Sequence, residues 1–113
     1  MGRDEEFLVY RLSVFAGHSP DLALAIGALP WVADGLTPEE REGLIELSRM
    51  AGEDAELARA VAGLPWFSDG LDAAESEGIG ALNYLSRRDV AMARDVATAS
   101  WFSAGMTEAK VSV

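Results

Sequence analysis

The 113-residue sequence contains no cysteine and a single histidine, His18. These absences exclude disulfide bonds, cysteine nucleophiles, thiolate metal sites and histidine-rich metal sites. Basic residues are also scarce, because nine Lys and Arg stand against nineteen Asp and Glu, and the formal net charge is −10. So acidic a chain is a poor partner for nucleic acid or for an anionic membrane surface.

Long apolar runs are missing as well. No stretch approaches the ~20 residues that span a bilayer, and the acidic N-terminal segment lacks the basic and then apolar order of a signal peptide. The compartment is left open, with the cytoplasm as the default expectation. Hydrophobic residues nevertheless make up 50% of the chain, which is far too apolar for a chain that charge and polarity keep disordered.

A repeat of 35 residues is the strongest feature of the sequence. Trp31, Trp66 and Trp101 each stand 35 residues from the next, and the octapeptide LPWVADGL around Trp31 returns as LPWFSDGL around Trp66. Laying residues 29–63 over 64–98 gives 15 identities. The period predicts a single repeat domain. The domain covers residues 1–113, with units at about 1–35, 36–70 and 71–105 and the start of a further unit at 106–113.

Each unit is predicted to hold two amphipathic helices. In the middle unit, Thr37 and Glu40 form a capping box ahead of a helix at about 38–51. Asp54 is the N-cap candidate of a second helix at about 55–63. Alanine is abundant and no segment alternates as a strand does. The predicted fold class is all-α, a right-handed-type stack of about three 35-residue helical hairpins that is α-solenoid-like, because one hairpin alone buries too little apolar surface.

The Leu-Pro-Trp segment predicts a short turn after each second helix. Proline disfavours continuation of the helix, and a glycine closes the turn in the left-handed conformation, where only glycine sits freely. We interpret each tryptophan as a structural wedge between hairpins, whose indole N–H needs a partner. The alternative is an exposed aromatic row that binds peptide or carbohydrate. The wedges are Trp31, Trp66 and Trp101, and the turn glycines are Gly35, Gly70 and Gly105.

Two glycines inside the first helices occupy the same place in two units, Gly43 and Gly78. Glycine within a helix costs ~1 kcal/mol relative to alanine. Its repetition favours a close approach between helices at this place. The alternative is a tolerated surface glycine.

No catalytic, metal or cofactor site is predicted. The Asp-Gly pairs at 34–35 and 69–70 lack the alternating oxygen ligands of a calcium loop and suit turns and caps. His18 has neither a cysteine nor a second histidine as a partner. Neither a nucleophile elbow nor a glycine-rich phosphate loop is present in the sequence. We therefore expect a protein that is not an enzyme and needs no cofactor.

Positions that differ between copies are the candidates for a partner-binding surface. Tyr10 and Ile45 share one register position, and Val14, Arg49 and Tyr84 share another, one helical turn along. Variation there suits an adaptable binding face, and it equally suits an unconstrained surface. A small basic cluster is expected to pair with acids of its own or the neighbouring unit, and the alternative is contact with an acidic partner. Its members are Arg87, Arg88 and Arg94.

The architecture resembles helical-hairpin repeat proteins of the tetratricopeptide and Sel1-like kind, which have a similar period and two helices per unit. The tetratricopeptide signature places Trp and Gly-x-x-Tyr within the first helix, whereas the Trp of this chain follows the second helix. The resemblance implies a protein-interaction or structural scaffold. Because the sequence stops inside a repeat, we expect a segment of a longer array, whose partner is another protein or further repeats. One alternative is a homo-oligomer that pairs through apolar terminal helices. A small ligand-binding bundle or an enzyme is less favoured.

Overall fold

The computed structural model of the chain describes residues 3–32 and 35–105, and in these ranges it is helical without any strand. The predicted all-α class is confirmed. Among the described helices, none combines the length and apolar composition that crossing a membrane requires. The helices are α1 Arg3–His18, α2 Pro20–Gly27, α3 Pro38–Glu53, α4 Ala55–Ala62, α5 Ala73–Arg88, α6 Val90–Thr98 and α7 Ser100–Ser103, and short 3-10 helices cover Pro30–Val32 and Pro65–Asp69.

The predicted helix starts are confirmed. The Thr37 hydroxyl accepts from the backbone N–H of Glu40, and the Glu40 carboxylate accepts in return from the backbone N–H of Thr37, which completes the capping box of α3. Asp72 and Glu75 form the same box at α5. The second helices begin at single side-chain caps, which satisfy an N–H that the helix itself leaves unpaired. These caps are Ser19, Asp54 and Asp89.

Two rows of helices enclose one hydrophobic core. The first helices of the units, α1, α3 and α5, pack in chain order, and the second helices, α2, α4 and α6, pack in a second row. Each first helix also packs against the second helix of its own unit. The core lies between the rows, where apolar positions spaced by three and four meet. Its largest fully buried apolar side chains are Phe15, Leu22, Ile26, Leu44, Leu47, Met50, Leu57, Val61, Phe67 and Ile79.

The turn after α4 forms at the Leu-Pro-Trp segment, as predicted, and departs from the prediction in one backbone angle. A 3-10 helix runs over Pro65–Asp69, and Gly70 follows with φ 101° and ψ 171°. The positive φ is as expected, but ψ is extended rather than left-handed helical, because the chain leaves the turn straight towards the cap of α5. This backbone region is essentially restricted to glycine. Gly35 and Gly105 also have positive φ, of 97° and 132°.

Gly43 and Gly78 are both buried, on α3 and α5. A Cβ at Gly43 would collide with the side chain of Leu71, the residue that follows the positive-φ glycine of the second unit. The close approach at Gly43 is therefore made by a leucine side chain, in addition to the packing of α3 on α5. Glycine at this place gives Leu71 its buried position.

Candidate interaction surfaces

Tryptophans and phenylalanines of successive units form a connected aromatic ladder. The indole Nε1 of Trp31 donates to the backbone carbonyl of Phe67 at 2.8 Å, and the indole Nε1 of Trp66 donates to that of Phe102 at 2.9 Å. The rings of each pair meet edge to face, at centroid distances of 5.6 and 5.7 Å. Tilted or edge contacts within each turn, Trp66 with Phe67 and Trp101 with Phe102, complete the ladder.

The two ladder contacts are the same contact made twice. In each, the tryptophan of one unit reaches the residue 36 positions further along, which stands just after the next tryptophan. Trp31 and Trp66 are each 8% exposed. A buried indole N–H without an acceptor would lose a hydrogen bond that water supplies in the unfolded chain. The carbonyl of the neighbouring turn therefore fixes the distance and the register between units.

The third tryptophan has a different environment. Trp101 lies on α7 and is 49% exposed, although it stands at the same register position as the two buried tryptophans. A similar change occurs on the second helices. Leu57 is 1% exposed, whereas Met92, at the same register position, is 51% exposed. Met92 has the register position of a buried leucine, but an apolar stripe on a helix is buried only where another helix lies against it.

A polar contact also recurs between the first helices. Arg11 Nη1 donates to the Ser48 hydroxyl at 3.1 Å, and Glu46 accepts from the amide nitrogen of Asn83 at 2.9 Å. Arg11 and Glu46 share one register position, and Ser48 and Asn83 share another. Different side-chain chemistry thus makes the same bridge at two successive interfaces.

Glu40 joins two units as well as capping α3. One carboxylate oxygen accepts from the backbone N–H of Thr37 at 3.0 Å, and the other accepts from that of Leu71 at 3.4 Å. Glu40 is buried, and a buried carboxylate is tolerated where hydrogen bonds hold it. The sequence predicts the capping bond. It gives no sign of the second bond, which depends on how near the next turn lies.

The second helices carry an ion pair between units. The Arg94 Nε donates to Asp54 at 2.6 Å, and Glu56 lies 3.8 Å from the same guanidinium. The hydrogen bond from Arg94 lowers the pKa of Asp54 below its usual 3.8, against an opposing effect of burial. The prediction that this cluster pairs with acids of a neighbouring unit is confirmed for Arg94. Arg88 instead donates to the Tyr84 hydroxyl and lies 4.8 Å from the centre of its ring.

The five residues predicted as a partner-binding surface lie on the row of first helices. Tyr10 and Tyr84 are exposed, at the N-terminal and C-terminal ends of the row. Val14 and Ile45 are half-buried, and Arg49 is exposed and pairs with Glu46 of its own helix at 3.0 Å. The guanidinium of Arg11 lies 5.0 Å from the centre of the Tyr10 ring. The five thus extend along a surface and do not converge on one cavity.

Four acidic side chains line a shallow hollow between the turns: Glu40, Asp69, Asp72 and Glu75. Burial raises the pKa of Glu75, and the negative charges of Asp72 and Asp69 act in the same direction, although the N–H of Asp72 opposes them. The described residues contain no group of three or more His, Asp or Glu that could hold a metal ion.

The raised pKa of Glu75 predicts a pH-dependent change in stability. Because its carboxylate is disfavoured in the folded chain, ionised Glu75 lowers stability above its folded pKa. This cost disappears as the pH falls below the usual pKa of 4.5. Glu75→Gln keeps a capping acceptor without the charge. We compare the free energies of unfolding of wild type and Glu75→Gln in urea titrations at pH 7 and pH 3. We expect the free energy of unfolding of wild type to rise relative to that of Glu75→Gln, by less than about 1 kcal/mol, as the pH falls. A rise in the stability of Glu75→Gln relative to wild type on acidification would contradict the raised pKa of Glu75.

The chain matches no protein-family model, no curated protein and no solved structure. The resemblance to tetratricopeptide and Sel1-like proteins therefore rests on period and helix pattern alone.

Proposed function

We propose that the chain is a non-enzymatic helical repeat module that serves as a protein-interaction or structural scaffold, as a segment of a longer array. Its 35-residue hairpins stack in an α-solenoid-like manner. The supporting observation is that inter-unit contacts recur in register. Trp31 reaches Phe67 as Trp66 reaches Phe102, each at a separation of 36 residues. The bridges from α1 to α3 and from α3 to α5 each span 37 residues.

Such contacts suit a scaffold because the residues that hold the units together are different from the residues that can face a partner. Buried tryptophans, caps and turn glycines set the spacing of the units, while exposed and half-buried positions on the first helices are free to differ. Tyr10 and Ile45 occupy equivalent places on α1 and α3, and Arg49 and Tyr84 occupy equivalent places on α3 and α5. The row of first helices is thus the surface that we assign to a protein partner. Stacked repeats commonly use an extended surface of this kind for binding.

The proposal is tested by inserting an additional copy of residues 36–70 directly after Gly70. If the units are a stack, each added unit brings one further interface, and stability is approximately a sum over units and interfaces. We expect the extended chain to keep its helicity per residue in circular dichroism and to unfold at a higher urea concentration. The control inserts the same 35 residues in scrambled order, which keeps composition and removes register. A loss of stability with the ordered insert would overturn the stacking.

A further inference from the structure

The C-terminal end of the stack exposes a set of apolar residues that the inner units bury. Leu85 of α5 and Met92 and Val96 of α6 are exposed or half-buried. Their equivalents in the first two units are all fully buried: Phe15 and Met50, Leu22 and Leu57, Ile26 and Val61. We call Leu85, Met92 and Val96 the presenting face. The helices that carry these buried residues, α1 with α2 and α3 with α4, each pack against the pair of helices that follows.

The N-terminal end exposes a groove with a floor of small residues. Leu12, Ala16, Ala23 and Gly27 line it between α1 and α2. Small residues occupy the equivalent places in both later units, and they are buried or half-buried there: Ala51, Ala58 and Ala62, then Ser86, Ala93 and Ala97. We call Ala16, Ala23 and Gly27 the receiving face. In both later units a preceding pair of helices packs against these helices, and this cover accounts for the burial of their small residues.

We infer that the presenting face of one chain docks into the receiving face of a second copy, so that the stack continues head to tail between molecules. The interface is the one that already joins units twice within the chain, repeated with Leu85, Met92 and Val96 as the inserted side chains. Short side chains at Ala16 and Gly27 let another pair of helices approach closely, as Ala51 and Ala97 do inside the molecule. The inference rests on the proposed stacking of units.

Both faces are uncharged, while the whole chain carries a net charge of −10. Burial of the apolar faces therefore favours association, whereas repulsion between the negatively charged chains opposes it. Salt screens this repulsion. Because the two faces differ, the contact is heterologous, and such contacts form open series or rings instead of closed two-fold dimers. Mass is accordingly expected to grow with protein concentration and with ionic strength.

The test blocks each face separately with a large charged side chain. Ala16→Arg obstructs the receiving face and Met92→Arg obstructs the presenting face. Both positions are exposed in the single chain, so the fold of the monomer is expected to survive, as circular dichroism will check. Ala25→Arg is the matched control, because position 25 lies on α2 and its equivalents Ala60 and Asp95 are exposed in every unit.

Sedimentation equilibrium of the full chain then decides. We expect wild type and Ala25→Arg to associate, and each face variant alone to sediment as a 12.0 kDa monomer. A mixture of the two face variants is expected to form a dimer, because each retains the face that the other lacks. Wild type that stays monomeric at all concentrations and salt levels would overturn the inference, as would face variants that associate normally or a mixture that stays monomeric. A monomeric wild type alongside a stabilising unit insertion would reject the second copy alone and leave the stacking in place.

Discussion

Trp66→Ala is expected to lower the free energy of unfolding by about 3–5 kcal/mol, as the loss of a buried large side chain does. Trp66 is the central rung of the aromatic ladder and contacts Phe67 and Phe102. Its indole N–H also donates to the carbonyl of Phe102. The alanine variant therefore loses apolar burial, two ring contacts and the hydrogen bond that sets the spacing between units. Urea unfolding followed by circular dichroism measures the effect.

Two further variants separate these contributions. Trp101→Ala removes the same side chain at a half-exposed place, and we expect it to cost less than half as much. Trp66→Phe keeps a ring but removes the donor to the Phe102 carbonyl, with an expected cost of about 1–3 kcal/mol for a buried acceptor left without its partner. Equal losses for Trp66→Ala and Trp101→Ala would show that burial between units is not what the tryptophan contributes.

The local structure of each unit follows closely from the sequence. The capping boxes that begin with Thr37 and Asp72 predict where two first helices start. Proline and glycine mark the two ends of the 3-10 turn at Pro65–Asp69. These features depend on residues three to five positions apart, so the conformational preferences of a short segment are enough to produce them. Caps and turns were therefore predictable without any knowledge of the tertiary fold.

The surfaces were less predictable, because register equivalence does not mean equal surroundings. Leu57 and Met92 occupy the same place in their units, yet only Leu57 is covered by a following helix. The second hydrogen bond of Glu40, to the N–H of Leu71, likewise depends on the distance between two units. A period identifies equivalent residues, but the position of a unit in the stack decides which of them are buried. That distinction separates the buried Trp66 from the half-exposed Trp101.

The period places the variable positions on the first helices, but it does not determine what these positions do. Tyr84 interacts with Arg88 and Tyr10 with Arg11, each within a single helix. Such contacts hold a side chain at a surface and are compatible with binding or with simple solvation. Sequence differs between copies where the fold does not constrain the side chain, and binding to a partner produces the same kind of variation.

Gly70→Ala is expected to destabilise the chain for two separable reasons. The backbone there has φ 101° and ψ 171°, and a side chain held in that region costs about 1–3 kcal/mol. A Cβ would in addition lie 2.9 Å from the Glu40 carboxylate, which two backbone N–H groups hold in place. The glycine is thus required both by the turn and by the carboxylate that bridges to the next unit.

Gly105→Ala provides the matched comparison, because its φ of 132° is also positive but a Cβ would meet nothing within 4 Å. We expect Gly70→Ala to lower the free energy of unfolding more than Gly105→Ala, and the excess to shrink when both are measured in a Glu40→Ala background, since the crowded carboxylate is then gone. Urea titrations of the four variants and their parents give the comparison. A cost for Gly70→Ala within about 0.5 kcal/mol, the range of ordinary surface substitutions, would contradict the turn geometry. Equal costs at the two glycines would confine the effect to the backbone and remove Glu40 from the explanation.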